Sequence, residues 1–145
     1  MLKYYLSQID TISKKISLFL SKTDCIFLYG ELGSGKTTFV RSLVHQLQKK
    51  NRIKKTEVVS PTFSLLHEYE IKNLKVMHYD LYRLKKSSDI NNIGLYDLED
   101  KMISIIEWPE LIKNKHKNRI EIKLSYTKKD NERNVSIKYF GSIKR

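Results

Sequence analysis

The sequence holds a single cysteine, Cys25, inside the apolar run "CIFLY". One cysteine allows no disulfide within the chain, and a lone thiol supplies no metal cluster. Cys25 is expected to be a buried core thiol, and a reducing, cytoplasmic compartment fits. Long apolar runs are missing as well: nothing approaches the ~20 residues of a transmembrane helix, so no membrane association is expected. The N-terminal stretch "MLKYYLSQIDTISKKISLFL" is interrupted by Asp10, Lys14 and Lys15. It lacks the unbroken apolar core and small-residue cleavage site of a secretory leader. Acidic residues are few, 16 against 28 basic ones, for a formal net charge of +12. Such a balance suits an anionic partner. The charge is spread in Lys-Lys pairs beginning at 14, 49, 54, 85 and 128, and no RRM, KH or zinc-finger signature accompanies it. It reads first as a lysine-rich surface.

A chain of 145 residues is expected to form one domain, residues 1–145, with a core that needs no staples. Ile9, Ile12, Ile16, Phe19 and Leu20 recur at helical spacing and predict an amphipathic helix over 8–21. "CIFLY" predicts a buried strand, and a helix follows from Thr37 to Lys50. "VVSPTFSLLHEYEI" is expected to be extended, broken at Pro61. Asn73 marks a hairpin turn, and the strand after it ends near Asp80. "MISIIEW" predicts a strand stopped by Pro109. "IEIKLSY" and "NVSIKYF" predict a final pair joined by the turn "TKKDNER". The fold class is therefore α/β, with a mixed parallel and antiparallel sheet flanked by helices.

The strongest local signal is "GELGSGKT", Gly30 to Thr37, which satisfies G-x-x-x-x-G-K-[ST] between a strand and a helix and predicts a single-domain P-loop NTPase fold. Gly33, Ser34 and Gly35 present backbone N–H groups to phosphate oxygens. The following helix aims its unpaired N–H groups at the same place. Lys36 brings a cation to the β- and γ-phosphates, the Thr37 hydroxyl suits Mg²⁺, and Thr38 is expected at the α-phosphate. Such sites also need a carboxylate at the end of a neighbouring strand. Asp80 ends "VMHYD" and Glu107 ends "ISIIE", so both are candidates. One is expected to ligate metal and the other to orient the attacking water.

"TKKD" at Thr127–Asp130 resembles a guanine-reading motif, but only a strand-like tail follows it, and no DxxG occurs after any Asp. ATP is favoured over GTP. A small-molecule kinase of the same class is the rival reading. It would add an arginine-bearing lid, and Arg83 is the only arginine between Arg52 and Arg119. A third reading is a nucleotide-sensing adaptor without turnover.

"YGELGSGKTTFVRSL", "SPTFSLLHEYE", "HYDLYRL", "IGLYD" and "IEWPE" occur in that order, within a resemblance that covers roughly residues 8–140. Together they resemble the bacterial tRNA threonylcarbamoyladenosine biosynthesis ATPases, the TsaE (YjeE) family. The resemblance implies a partner-stimulated ATPase needed for the N6-threonylcarbamoyl modification of adenosine 37 in tRNA. It implies Mg²⁺ and ATP as cofactors, and as partners a TsaD-like transferase and its TsaB-like paralogue. Contact with tRNA would then be indirect, through those partners. Carried over by position, Lys36 and Thr37 bind phosphate and Mg²⁺, Glu107 ligates the metal, and Asp80 is the Walker B-type aspartate. Thr11 and Trp108 lie close to the nucleotide, and Ser60, Pro61 and Thr62 form a switch-like segment. Tyr79, Leu81 and Tyr82 read as core. Arg133 sits in the last hairpin, where family members often carry an arginine.

Overall fold

A computed structural model of the chain describes residues 2–20, 25–97 and 99–143. In chain order these form β1 (Leu2–Tyr5), α1 (Ile9–Ser17), β2 (Cys25–Tyr29), α2 (Lys36–Lys50), β3 (Leu66–Ile71), β4 (Leu74–Asp80), β5 (Met102–Glu107), β6 (Arg119–Tyr126) and β7 (Glu132–Tyr139). The hydrophobic pattern sorts the strands. "CIFLY" and "MISIIE" are nearly unbroken apolar runs, as a strand covered on both faces requires, and β2 and β5 lie side by side inside the sheet. In β6 and the first half of β7 buried residues alternate with more accessible ones, the mark of a sheet covered on one face.

All seven strands join one sheet, in the order β1-β7-β6-β2-β5-β4-β3. The four inner strands β6, β2, β5 and β4 run parallel. The pairs β3–β4, β6–β7 and β1–β7 are antiparallel. The expected mixed sheet is present, and "TKKD" falls in the turn between β6 and β7.

The two faces are covered differently. α1 and α2 pack on one of them. There Ile26, Leu28, Ile105, Ile122 and Leu124 meet Ile16, Phe39, Val40 and Leu43. The Ser13 and Ser42 hydroxyls, 2.6 Å apart, and the Asp10 carboxylate satisfy one another at the helix seam. Beneath the other face lie Cys25, Phe27, Tyr79 and Ile106, covered by Leu81, Ile90, Leu95 and Ile112 from irregular segments and short 3₁₀ turns. Among the described residues the α-helices thus flank one face only. Cys25 is fully buried, as expected.

Two expectations are corrected, and one strand is added. The predicted helix over 8–21 keeps α-helical geometry only over Ile9–Ser17; residue 21 lies outside the described residues. Its end tightens because the Phe19 N–H bonds back to Ile16 and the Phe19 ring packs on Tyr139, 5.0 Å between centroids. The expected extended segment 58–71 is a strand only from Leu66. Before that, residues 61–65 turn sharply, with Leu65 at φ 68° and its N–H on the Pro61 carbonyl. The N-terminal "LKYY", read as no element in the sequence, is an edge strand paired with β7.

Candidate functional site

β2, β4 and β5 all end at the same edge of the sheet, because Leu28 pairs with Glu107 and Glu107 with Asp80. The chain leaves β2 through the Gly-rich loop and enters α2 at Lys36. Gly35 immediately precedes the helix at φ 111°, and Gly33 has φ 76°. The left-handed backbone favours glycine there, and a Cβ on Gly33 would stand 2.7 Å from the Tyr126 hydroxyl and displace it. The first N–H groups of α2 have no partners within the helix and face the loop.

A pocket of about 320 Å³ opens at this edge, lined by Leu32, Gly33, Gly35, Lys36, Thr37, Thr38, Ser60, Thr62, Asp80, Tyr82, Glu107 and Trp108. Eight of the sequence candidates (Gly33, Gly35, Lys36, Thr37, Thr38, Asp80, Glu107 and Trp108) are therefore brought together. The Lys36 ammonium folds over the loop, donating to the carbonyls of Gly30 at 2.5 Å and Glu31 at 2.9 Å. Burial pushes its pKa down from the ordinary lysine value, opposed by the carboxylates of Glu107, Glu110 and Asp80. Lys36 Nζ also lies 4.0 Å from the centre of the Trp108 ring. Trp108 is held at φ 58°, ψ 56° just before Pro109, a left-handed conformation that turns the chain abruptly out of β5.

The two carboxylates are both buried. Glu107 accepts the Thr37 hydroxyl, at 2.9 Å to Oε1 and 3.2 Å to Oε2, and the His78 ring Nε2 lies 2.8 Å from Oε2. Asp80 Oδ2 accepts the Ser60 hydroxyl at 2.7 Å and the Thr62 hydroxyl at 3.0 Å, while Oδ1 accepts the Tyr82 N–H at 3.0 Å. One hydroxyl and two carboxylates form a hard oxygen donor set, too small to enclose a cation alone. Among the described residues no three His, Cys, Asp or Glu side chains form a metal cluster. That set fits Mg²⁺, which keeps several waters and shares phosphate oxygens.

Two candidates lie elsewhere. The Ser34 side chain is fully buried and packs toward Gly30, where a Cβ would strike it; Ser34 does not line the pocket, and its N–H bonds the Glu31 carbonyl at 3.0 Å. Thr11 lines a separate groove of about 480 Å³ with Tyr4, Gln8 and Tyr139. The two cavities are near each other, since the Tyr4 hydroxyl lies 3.9 Å from where a Gly35 Cβ would stand. Tyr82, read as core, is half-exposed and packs its ring on Trp108, 4.9 Å between centroids; Tyr79 and Leu81 are core.

Sequence reasoning missed a clamp on the loop. The Tyr126 hydroxyl donates to the Leu32 carbonyl at 2.6 Å, and Arg133 Nε to the Ser34 carbonyl at 3.2 Å. The guanidinium also stacks on Tyr126, 4.5 Å from its ring centre. The last hairpin thus fixes the carbonyls on either side of Gly33, and Arg133, singled out there by the family resemblance, is one half of the clamp. His78 was missed too, although Val76, His78 and Asp80 share a strand face by alternation.

Comparison with known proteins follows the same lines. Residues 5–135 match the family model described as threonylcarbamoyl adenosine biosynthesis protein TsaE. The chain is 37% identical over 103 residues to the tRNA threonylcarbamoyladenosine biosynthesis protein TsaE of Rickettsia felis, covering 71% of this chain and 58% of that protein's length. To the protein of the same name from Aquifex aeolicus it is 39% identical over 106 residues, 72% and 73% of the two chains. The crystal structure of YdiB from Bacillus subtilis superposes with a TM-score of 0.67 at 25% identity, over 97% of this chain and 86% of that one. With this site at the C-terminal edge of a P-loop sheet and a match over nearly its whole length, the chain belongs to the TsaE family.

Proposed function

We propose that the chain binds ATP with Mg²⁺ and hydrolyses it as a subunit of the machinery that makes threonylcarbamoyladenosine at position 37 of tRNA. In this reading it acts in the cytoplasm with a TsaD-like transferase and its TsaB-like paralogue, and does not transfer the threonylcarbamoyl group itself. The observation that carries the reading is the meeting of Lys36, Thr37, Asp80 and Glu107 in one pocket at the loop.

Lys36 exchanges the Gly30 and Glu31 carbonyls for phosphate oxygens, and that anion favours its charged form. The loop N–H groups and the start of α2 receive the phosphate chain. Thr37 and Glu107 would hold Mg²⁺, which when bound neutralises charge on the β- and γ-phosphates. Asp80, already an acceptor of two hydroxyls, orients the attacking water. Thr38 meets the α-phosphate, and the base points toward the groove that Thr11 lines. Trp108 sits beside the nucleotide.

The test is depletion of the protein in its own cell, followed by measurement of threonylcarbamoyladenosine in tRNA. Loss of the modification is expected, with rescue by the wild-type chain and none by Lys36→Ala. Normal modification after depletion would sink the reading. Appearance of phosphate on a small hydroxylated metabolite, rather than free in solution, would replace it with a kinase.

A further inference from the structure

We infer that His78 is a positioning residue for Glu107, holding one carboxylate oxygen so that the other is presented to the metal. The inference rests on the proposed Mg²⁺–nucleotide reading of the pocket. His78 lies in β4 opposite Ile105 of β5, so Glu107 is its diagonal neighbour on the same face. The imidazole is wholly buried and stacks on Tyr69, 6.5 Å between centroids and 30° between planes. A buried polar ring costs stability unless it makes hydrogen bonds. Its Nε2 is 2.8 Å from Glu107 Oε2, and its Nδ1 has no hydrogen-bond partner among the described residues. A carboxylate oxygen can only accept, so Nε2 carries the hydrogen.

Glu107 has two side-chain donors in the structure, Thr37 and His78. Thr37 approaches both oxygens and is closer to Oε1; His78 approaches Oε2 alone. A Thr37 hydroxyl that offers an oxygen lone pair to a cation keeps its hydrogen, but it must turn to do so and no longer spans both Glu107 oxygens. His78 holds Oε2 from the neighbouring strand whichever way Thr37 turns, and so keeps the carboxylate from rotating, with Oε1 left for an external ligand. Histidine and carboxylate are coupled in this way around many metal ions, and loss of the outer partner typically costs about 10–100-fold in metal affinity or activity.

The test compares the affinity of the full chain for a non-hydrolysable ATP analogue with and without Mg²⁺, by calorimetry. The wild-type chain is expected to bind more tightly with Mg²⁺. His78→Phe keeps the ring shape but no donor, and should reduce that Mg²⁺ enhancement about 10-fold while leaving the metal-free affinity unchanged. His78→Gln, whose amide nitrogen reaches about as far as Nε2, should restore most of it. A general packing defect would move both affinities together. A full Mg²⁺ enhancement in His78→Phe, or no recovery in His78→Gln, overturns the inference alone. A wild-type chain that gains nothing from Mg²⁺ overturns the pocket reading and the inference with it. Should His78→Phe fail to fold, ¹⁵N spectra of the wild-type imidazole decide: an Nε2–H tautomer supports the pairing, and an Nδ1–H tautomer overturns it.

Discussion

Glu107 and Asp80 face each other in register at the ends of adjacent parallel strands, equally buried, yet they are held by different kinds of structure. Glu107 is fixed by regular elements: Thr37 from the first turn of α2 and His78 from β4. Asp80 is fixed by Ser60 and Thr62, hydroxyls on a stretch that belongs to no helix or strand. That stretch is tied down at a few points, among them Arg41 on the Val58 carbonyl and Arg83 on the Phe63 carbonyl. Phe63 is 86% exposed. The first carboxylate is preset by the sheet, whereas the second depends on a loop that can open at the cost of a few hydrogen bonds.

The comparison can be broken most directly at the carboxylates. Glu107→Ala and Asp80→Ala should each lower hydrolysis about 100-fold or more. Only Glu107→Ala should also weaken the gain in nucleotide affinity that Mg²⁺ provides; equal behaviour in calorimetry would erase the distinction. Next in size, Ser60→Ala combined with Thr62→Val should lower turnover about 10-fold and speed amide exchange over 59–65. The corresponding exchange in β4 and β5 should stay unchanged. Each lost hydroxyl bond is worth about 1 kcal/mol, enough to shift the loop without unfolding the sheet. Smaller again, Tyr126→Phe removes one donor from the phosphate loop. It should cost about 1 kcal/mol of stability in denaturant unfolding and weaken nucleotide binding several-fold. Least of all, nucleotide should change the fluorescence of Trp108, the sole tryptophan, because Lys36 leaves its ring for phosphate. An unchanged spectrum on saturation with nucleotide would remove Trp108 from the binding site.

How much of this was legible in the sequence follows the same division. The loop from Gly30 to Thr37 and the strand-end positions of Asp80 and Glu107 are local facts, written in spacing and in the apolar runs before them. Both hairpin turns were legible for the same reason. The stretch before Leu66 was not: its β-branched and apolar residues suggest a strand, but Leu65 turns back on Pro61, and hydroxyls that would decorate a strand go to Asp80. β1 escaped notice because four residues carry little periodicity and their partner, β7, lies at the far end of the chain. Arg133 and Ser34 are 99 positions apart, so no local pattern joins them. His78 was visible only as one polar letter in a buried strand, and its meaning needed the register of β4 against β5.

The clamp formed by Tyr126 and Arg133 has a consequence for how the site comes into being. A chain emerging from the ribosome has the whole phosphate-loop motif by Thr37, and folding during synthesis generally begins with the N-terminal part. The side chains that grip the carbonyls on either side of Gly33 are made some ninety residues later. So is β6, which lies beside β2 at the centre of the sheet. The phosphate-loop motif is thus translated before the hairpin that grips it, and a nascent or C-terminally truncated chain carries the loop without the grip that shapes it.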